Sequence, residues 1–166
     1  PTPVYGVETI MHMNTWSEDF DGDGDQDLII NQTRFQPYYS GTYLQYIVND
    51  GVGNFIDVTS EKLIDPDQYA DTYGGRLEWT DMFSVFDVDN DGDLDIAGRY
   101  VDSSPIIFLN NGSGAFELIE LPRHSDKPIP LSWGDFDQDG KLEFVQFHQT
   151  WLDAEGTFIR ITKEFQ

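Results

Sequence analysis

Three stretches of the chain set carboxylates at alternate positions of a short loop, a spacing that suits a hard divalent cation. The first is Asp19-Phe20-Asp21-Gly22-Asp23-Gly24-Asp25-Gln26-Asp27, followed by apolar Leu28-Ile29-Ile30. The second is Asp87-Val88-Asp89-Asn90-Asp91-Gly92-Asp93-Leu94-Asp95, and the third Asp135-Phe136-Asp137-Gln138-Asp139-Gly140-Lys141-Leu142-Glu143. All three read D-x-D-x-D-G-x-x-[DE] and then turn apolar. Calcium takes six to eight oxygens at ~2.3–2.6 Å, and acids at positions 1, 3, 5 and 9 of a tight loop can converge on one point. Position 7 offers a backbone carbonyl, and Gly at position 6 permits the sharp turn.

The side-chain ligands expected are therefore Asp19, Asp21, Asp23 and Asp27; Asp87, Asp89, Asp91 and Asp95; and Asp135, Asp137, Asp139 and Glu143. Asp25, Asp93 and Lys141 supply the carbonyls. The expectation is about three Ca2+ ions, one per loop. Magnesium is a poor competitor, because it demands a small octahedron and keeps its waters. An EF-hand begins the same way but needs a bidentate Glu at position 12 and flanking helices. Position 12 here is Ile30, Gly98 or Gln146, and the flanks are strand-like.

The elements that hold these loops read as β-strands. Tyr43 to Val48 is a β-type run ending in Asn49-Asp50-Gly51-Val52-Gly53-Asn54, then Phe55 to Val58. Pro105 to Leu109 likewise ends in Asn110-Asn111-Gly112-Ser113-Gly114, then Phe116 to Leu121. Asn/Asp-Gly between two such runs is a strong hairpin signal, since left-handed turn positions suit Gly and Asn. Each unit thus reads as a strand into the acidic loop, a strand out of it, and a hairpin of two more. The first strands are roughly Tyr5–Trp16, Leu77–Phe86 and Ile129–Trp133, and the third copy lacks its fourth strand. Units of ~40–50 residues or more with four strands each are the mark of β-propeller blades. The expected fold is all-β, one propeller segment over residues 1–166, with blades at 1–60, 61–122 and an incomplete 123–166.

The acidic loop, the apolar strand after it and the Asn-Asp-Gly-x-Gly-x-Phe hairpin resemble the FG-GAP/VCBS repeats of integrin α-type propellers and of many secreted bacterial proteins. The resemblance covers nearly the whole chain. It implies that the calcium loop joins the first two strands of each blade. The third copy departs from the pattern at Lys141 and Glu143, so its site is expected to bind more weakly. Three blades fall short of the four to eight of a closed ring. The chain is therefore expected to be an open fragment of a larger propeller, or to assemble with further blades from the same parent chain or other copies.

With 31 acidic residues against 9 basic and a net charge of -22, nucleic acid and membrane insertion are not expected. The 14% aromatic content argues for a folded chain rather than an acidic disordered one. No cysteine is present for a disulfide or thiolate site, and no apolar run approaches the ~18–20 residues that span a bilayer. Aromatic and ionic residues gather in the loops expected at the opposite end: Arg34, Phe35, Tyr38, Tyr39, Tyr100 and Trp151 as candidate ligand-binding residues, with Tyr69, Tyr73, Arg76 and Arg123 nearby in kind. Such side chains suit glycans or extracellular proteins.

No catalytic residue is assigned. His12, His124 and His148 are separate in sequence, and no phosphate loop, nucleophile elbow or zinc motif occurs. The expected function is a calcium-stabilised recognition or adhesion module, extracellular or periplasmic, where millimolar calcium fills weak sites. A propeller portion of a secreted polysaccharide-active enzyme and a structural spacer are the alternatives.

Overall fold

The computed structural model describes residues 10–34, 42–63, 80–100, 105–120, 129–138, 143–148 and 158–163. They form three antiparallel sheets. The first holds β1 (Ile10–Glu18), β2 (Asp27–Arg34), β3 (Thr42–Asn49) and β4 (Phe55–Asp57), adjacent in that order. After a single helical turn, α1 (Thr59–Lys62), the second holds β5 (Thr80–Phe86), β6 (Asp95–Tyr100), β7 (Pro105–Asn110) and β8 (Phe116–Glu120), again in chain order. The third places β10 (Glu143–His148) between β9 (Ile129–Gly134) and β11 (Phe158–Lys163).

The strand order expected from the repeats is the one observed. Register puts each acidic loop at the same place: Glu18 pairs with Asp27, Phe86 with Asp95, and Gly134 with Glu143. The hairpins close on Asn49 opposite Phe55 and on Asn110 opposite Phe116. The helical turn α1 was not signalled by any helical period, because one turn is too short to show one. It carries Leu63 into the core, fully buried, where it bridges to Phe116.

Burial follows the two-residue period of a strand. Along β2, Asp27, Ile29 and Asn31 are buried while Leu28, Ile30 and Gln32 are half-buried. In the second sheet both faces are buried. Ile96, Ile106 and Phe108 join one cluster and Ala97 and Ile107 another, with Val88. The larger cluster is shared between the first two sheets and unites Phe20, Ile29, Leu44, Tyr46 and Leu63 with Phe83, Ile96, Ile106, Phe108 and Phe116.

At its centre Phe20, Tyr46 and Phe116 meet edge to face, with centroids 5.9, 6.1 and 5.7 Å apart. Each such pair contributes about 0.5–1.5 kcal/mol beyond its buried area. Polar straps cross the same junction: the Asn110 amide donates to the Phe20 carbonyl at 2.7 Å and Lys62 Nζ to the Ser113 carbonyl at 2.7 Å. Gly114 allows the close approach. A Cβ there would stand 2.5 Å from the Tyr46 hydroxyl and 2.9 Å from Asp21 Cβ.

Candidate metal centres

The first two acidic loops are each wound around their first carboxylate. Asp19 accepts from the backbone N–H groups of Gly22, Asp23 and Gly24 at 2.9–3.1 Å. Asp87 does the same for Asp91 and Gly92, at 3.1 and 2.9 Å. The turn requires a left-handed residue at position 4 in all three copies: Gly22 at φ 75°, Asn90 at 64° and Gln138 at 60°. Gly24 and Gly92 at position 6 are left-handed as expected. The position 4 requirement is a feature the sequence reading missed, because Gly, Asn and Gln share no obvious pattern.

This winding brings carboxylates together. Asp19, Asp21 and Asp27 each offer an oxygen within 4.8 Å of the others; Asp87, Asp89 and Asp95 do so too, and Asp135, Asp137 and Glu143. Positions 1, 3 and 9 therefore converge. Position 5 does not join them: Asp23 Oδ1 accepts from Asp25 N–H at 2.9 Å, and Asp91 Oδ1 from Asp93 N–H at 3.0 Å. Asp25 and Asp93, expected to serve through their carbonyls, lay their side chains over the hairpin. Their carboxylates occupy the space that a Cβ on Gly51 or Gly112 would need. Asp139 and Lys141 lie outside the described residues.

The position 9 acid has a second duty that the spacing alone does not reveal. It is buried in every copy, at 0, 0 and 1% exposure for Asp27, Asp95 and Glu143. Asp27 accepts from Phe20 N–H at 3.3 Å and from Asn49 N–H at 2.9 Å; Asp95 accepts from Val88 and Asn110 N–H, both at 2.7 Å. Glu143 repeats the loop half of this, accepting from Phe136 N–H at 2.8 Å. The acid thus ties the start of its loop to the hairpin of its own sheet. In the first sheet the Tyr46 hydroxyl also donates to Asp27 at 3.1 Å. The loops and the Asn-Gly hairpins therefore share one end of each four-stranded sheet.

The donor set is carboxylate oxygen throughout, which is what a hard divalent cation takes and a soft one does not. Residues 87–145 match the family described as FG-GAP-like repeat. Over those residues the chain is similar to that repeat. The repeat runs from position 1 of the second loop to just past position 9 of the third, so it contains both loops and the hairpin between them. No curated protein matches the chain.

Without a cation the repeat's own acids are strained. Burial, with the nearby Asp89 and Asp91 charges, pushes Asp95 up to about 6 despite its two backbone hydrogen bonds. Burial raises Asp89 as well, and Asp21 in the first loop. A carboxyl group whose folded pKa exceeds its unfolded value favours the folded state while protonated and penalises it once ionised. Metal-free chain is therefore expected to lose stability as pH rises from about 4 to about 6, by up to ~3 kcal/mol through Asp95. Thermal melts in chelator across that range check the sign, which is the reverse of ordinary acid denaturation.

The remaining sequence candidates fall elsewhere. Arg34 and Tyr100 end β2 and β6, opposite the acidic loops; Phe35, Tyr38, Tyr39 and Trp151 lie outside the described residues, as do Tyr69, Tyr73, Arg76, Arg123 and His124. His12 is bonded to the Thr15 hydroxyl at 2.7 Å, as a structural histidine should be. Asn31-Gln32-Thr33 and Asn111-Gly112-Ser113 fit the glycosylation acceptor pattern; Asn31 is buried at 5% exposure and Asn111 is exposed. Among the described residues no helix is long and apolar enough to cross a membrane.

Proposed function

We propose that the chain is a calcium-stabilised recognition module of the β-propeller type, acting outside the cytoplasm. The observation that carries this reading is the threefold recurrence of the same three-carboxylate cluster at the same point of the sheet. Positions 1, 3 and 9 would hold the ion, with the position 7 carbonyl and the position 5 carboxylate within the same nine residues. Calcium supplies the positive charge that lets these acids remain ionised side by side. Extracellular calcium is concentrated enough to fill even sites with dissociation constants of ~10⁻⁴–10⁻³ M.

Recognition belongs to the other end. β2 runs from Asp27 to Arg34, a rise of ~23 Å at ~3.3 Å per residue, so it ends far from the acidic loop. The segment after it holds Phe35, Tyr38 and Tyr39, rings suited to stacking on a sugar or filling a protein pocket. The calcium-loaded chain is expected to bind a glycan or an extracellular protein in array and pull-down screens. Tyr38→Ala with Tyr39→Ala should weaken that binding at least tenfold and leave the melting temperature unchanged. Silence from calcium-loaded, folded chain against both ligand classes would instead favour a spacer role.

A further inference from the structure

The junction between the first and second sheets has two halves, and each half occurs once more without a counterpart among the described residues. One half is the loop side: an aromatic at position 2 of the acidic loop, Phe20, with Ile29 opposite Tyr46 in register. The other is the hairpin side: Phe116, closing its hairpin opposite Asn110, whose amide donates to the Phe20 carbonyl.

The spare hairpin side is in the first sheet. Phe55 closes its hairpin opposite Asn49, as Phe116 does opposite Asn110, yet Phe55 is 55% exposed and Phe116 4%. Asn49 accepts from Gly51 N–H at 3.1 Å, just as Asn110 accepts from Gly112 at 3.2 Å. Gly53 stands where Gly114 stands in the other hairpin. A Cβ at Gly114 would strike Tyr46 and Asp21, whereas one at Gly53 would meet nothing within 4 Å. The flat approach surface is there, with no described residue lying on it.

The spare loop side is in the third sheet. Phe136 occupies position 2, its N–H held by Glu143 as Phe20's is by Asp27, and it is 51% exposed where Phe20 is 1%. Register sets Val145 opposite Ile161, as it sets Ile29 opposite Tyr46. In the second sheet the same three positions are Val88, Ala97 and Ile107, and they are buried together. An apolar set at these positions, headed by an aromatic in the first and third sheets, is thus covered in the first two sheets and open at Phe136.

We propose that two copies of this chain associate head to tail, the Phe55 hairpin of one seating on the Phe136 loop of the other. The Asn49 amide would then donate to the Phe136 carbonyl of the next copy, as Asn110 does to Phe20. The described residues of two copies supply six sheets, within the four to eight that close a propeller, so the junction can form twice and end in a dimer. The charge of -22 opposes the approach of two copies, which makes calcium and moderate salt the conditions under which it occurs.

The test is the solution mass of the full chain in calcium, by light scattering and analytical ultracentrifugation. Wild type is expected to populate a dimer as concentration rises, and Phe55→Asp and Phe136→Asp alone should each lose it. An equimolar mixture of the two variants restores one intact junction and should give a heterodimer, which misfolded variants could not form. Monomeric wild type at the highest attainable concentration, single variants that associate like wild type, or a mixture that stays monomeric would each overturn the proposal.

Discussion

Phe116→Ala is expected to destabilise the chain by about 3–5 kcal/mol, the range for removing a fully buried aromatic ring. The ring is 4% exposed and meets Phe20 and Tyr46 edge to face at 6.1 and 5.7 Å. Its loss opens a cavity between two sheets rather than inside one, and neither sheet can close over it without moving as a body. Phe55→Ala is the matched control. It removes the same residue from the equivalent hairpin, where the ring is 55% exposed, and should cost less than about 0.5 kcal/mol in dilute solution. Urea unfolding of both variants in calcium checks the pair. Similar losses at the two positions would contradict a junction built on Phe116.

Asp95→Ala is expected to be nearly as damaging, for a different reason. It strands the buried N–H groups of Val88 and Asn110, each bonded to Asp95 at 2.7 Å. A buried donor left unsatisfied costs about 1–3 kcal/mol, so the pair costs several. Asp95→Asn separates the two duties of this residue. The amide keeps the shape and one acceptor oxygen, and it removes a charge whose burial is unfavourable without metal. In chelator the Asn variant should therefore melt close to wild type, while the Ala variant melts well below it. With calcium added, wild type should gain stability and both variants little. A full calcium response in Asp95→Asn would remove the position 9 acid from the metal site.

Much of the fold was legible because its signals are local. Alternating apolar residues, Asn-Gly turns and the repeated acidic nonapeptide gave strand order and hairpins without any long-range information. The strand pairings at Glu18–Asp27 and Asn49–Phe55 follow from those turns alone. What stayed hidden depends on tertiary contact. Phe55 and Phe116 look alike in sequence, and only the presence of a neighbouring sheet distinguishes an exposed ring from a buried one. The position 9 acids read as metal ligands only, and they prove to be buried as well, because they also bond backbone N–H groups, in the first sheet as far as a hairpin 22 residues away. Position 5 reads as a ligand by spacing, yet Asp23 and Asp91 turn toward the N–H two residues on, an alternative that short acidic side chains always have.

The central claim is that the three acidic loops hold calcium and that calcium holds the sheets. Its most direct test is a calcium titration of chelator-stripped chain, followed by calorimetry and thermal melting. About three ions per chain should bind, each site adding ~2.7 kcal/mol when the free ion reaches a hundredfold excess over its dissociation constant. Asn substitution at Asp19, Asp87 and Asp135 should remove the ions one at a time, with the Asp135 site the weakest. A melting temperature that stays the same in excess chelator and in saturating calcium would contradict the account.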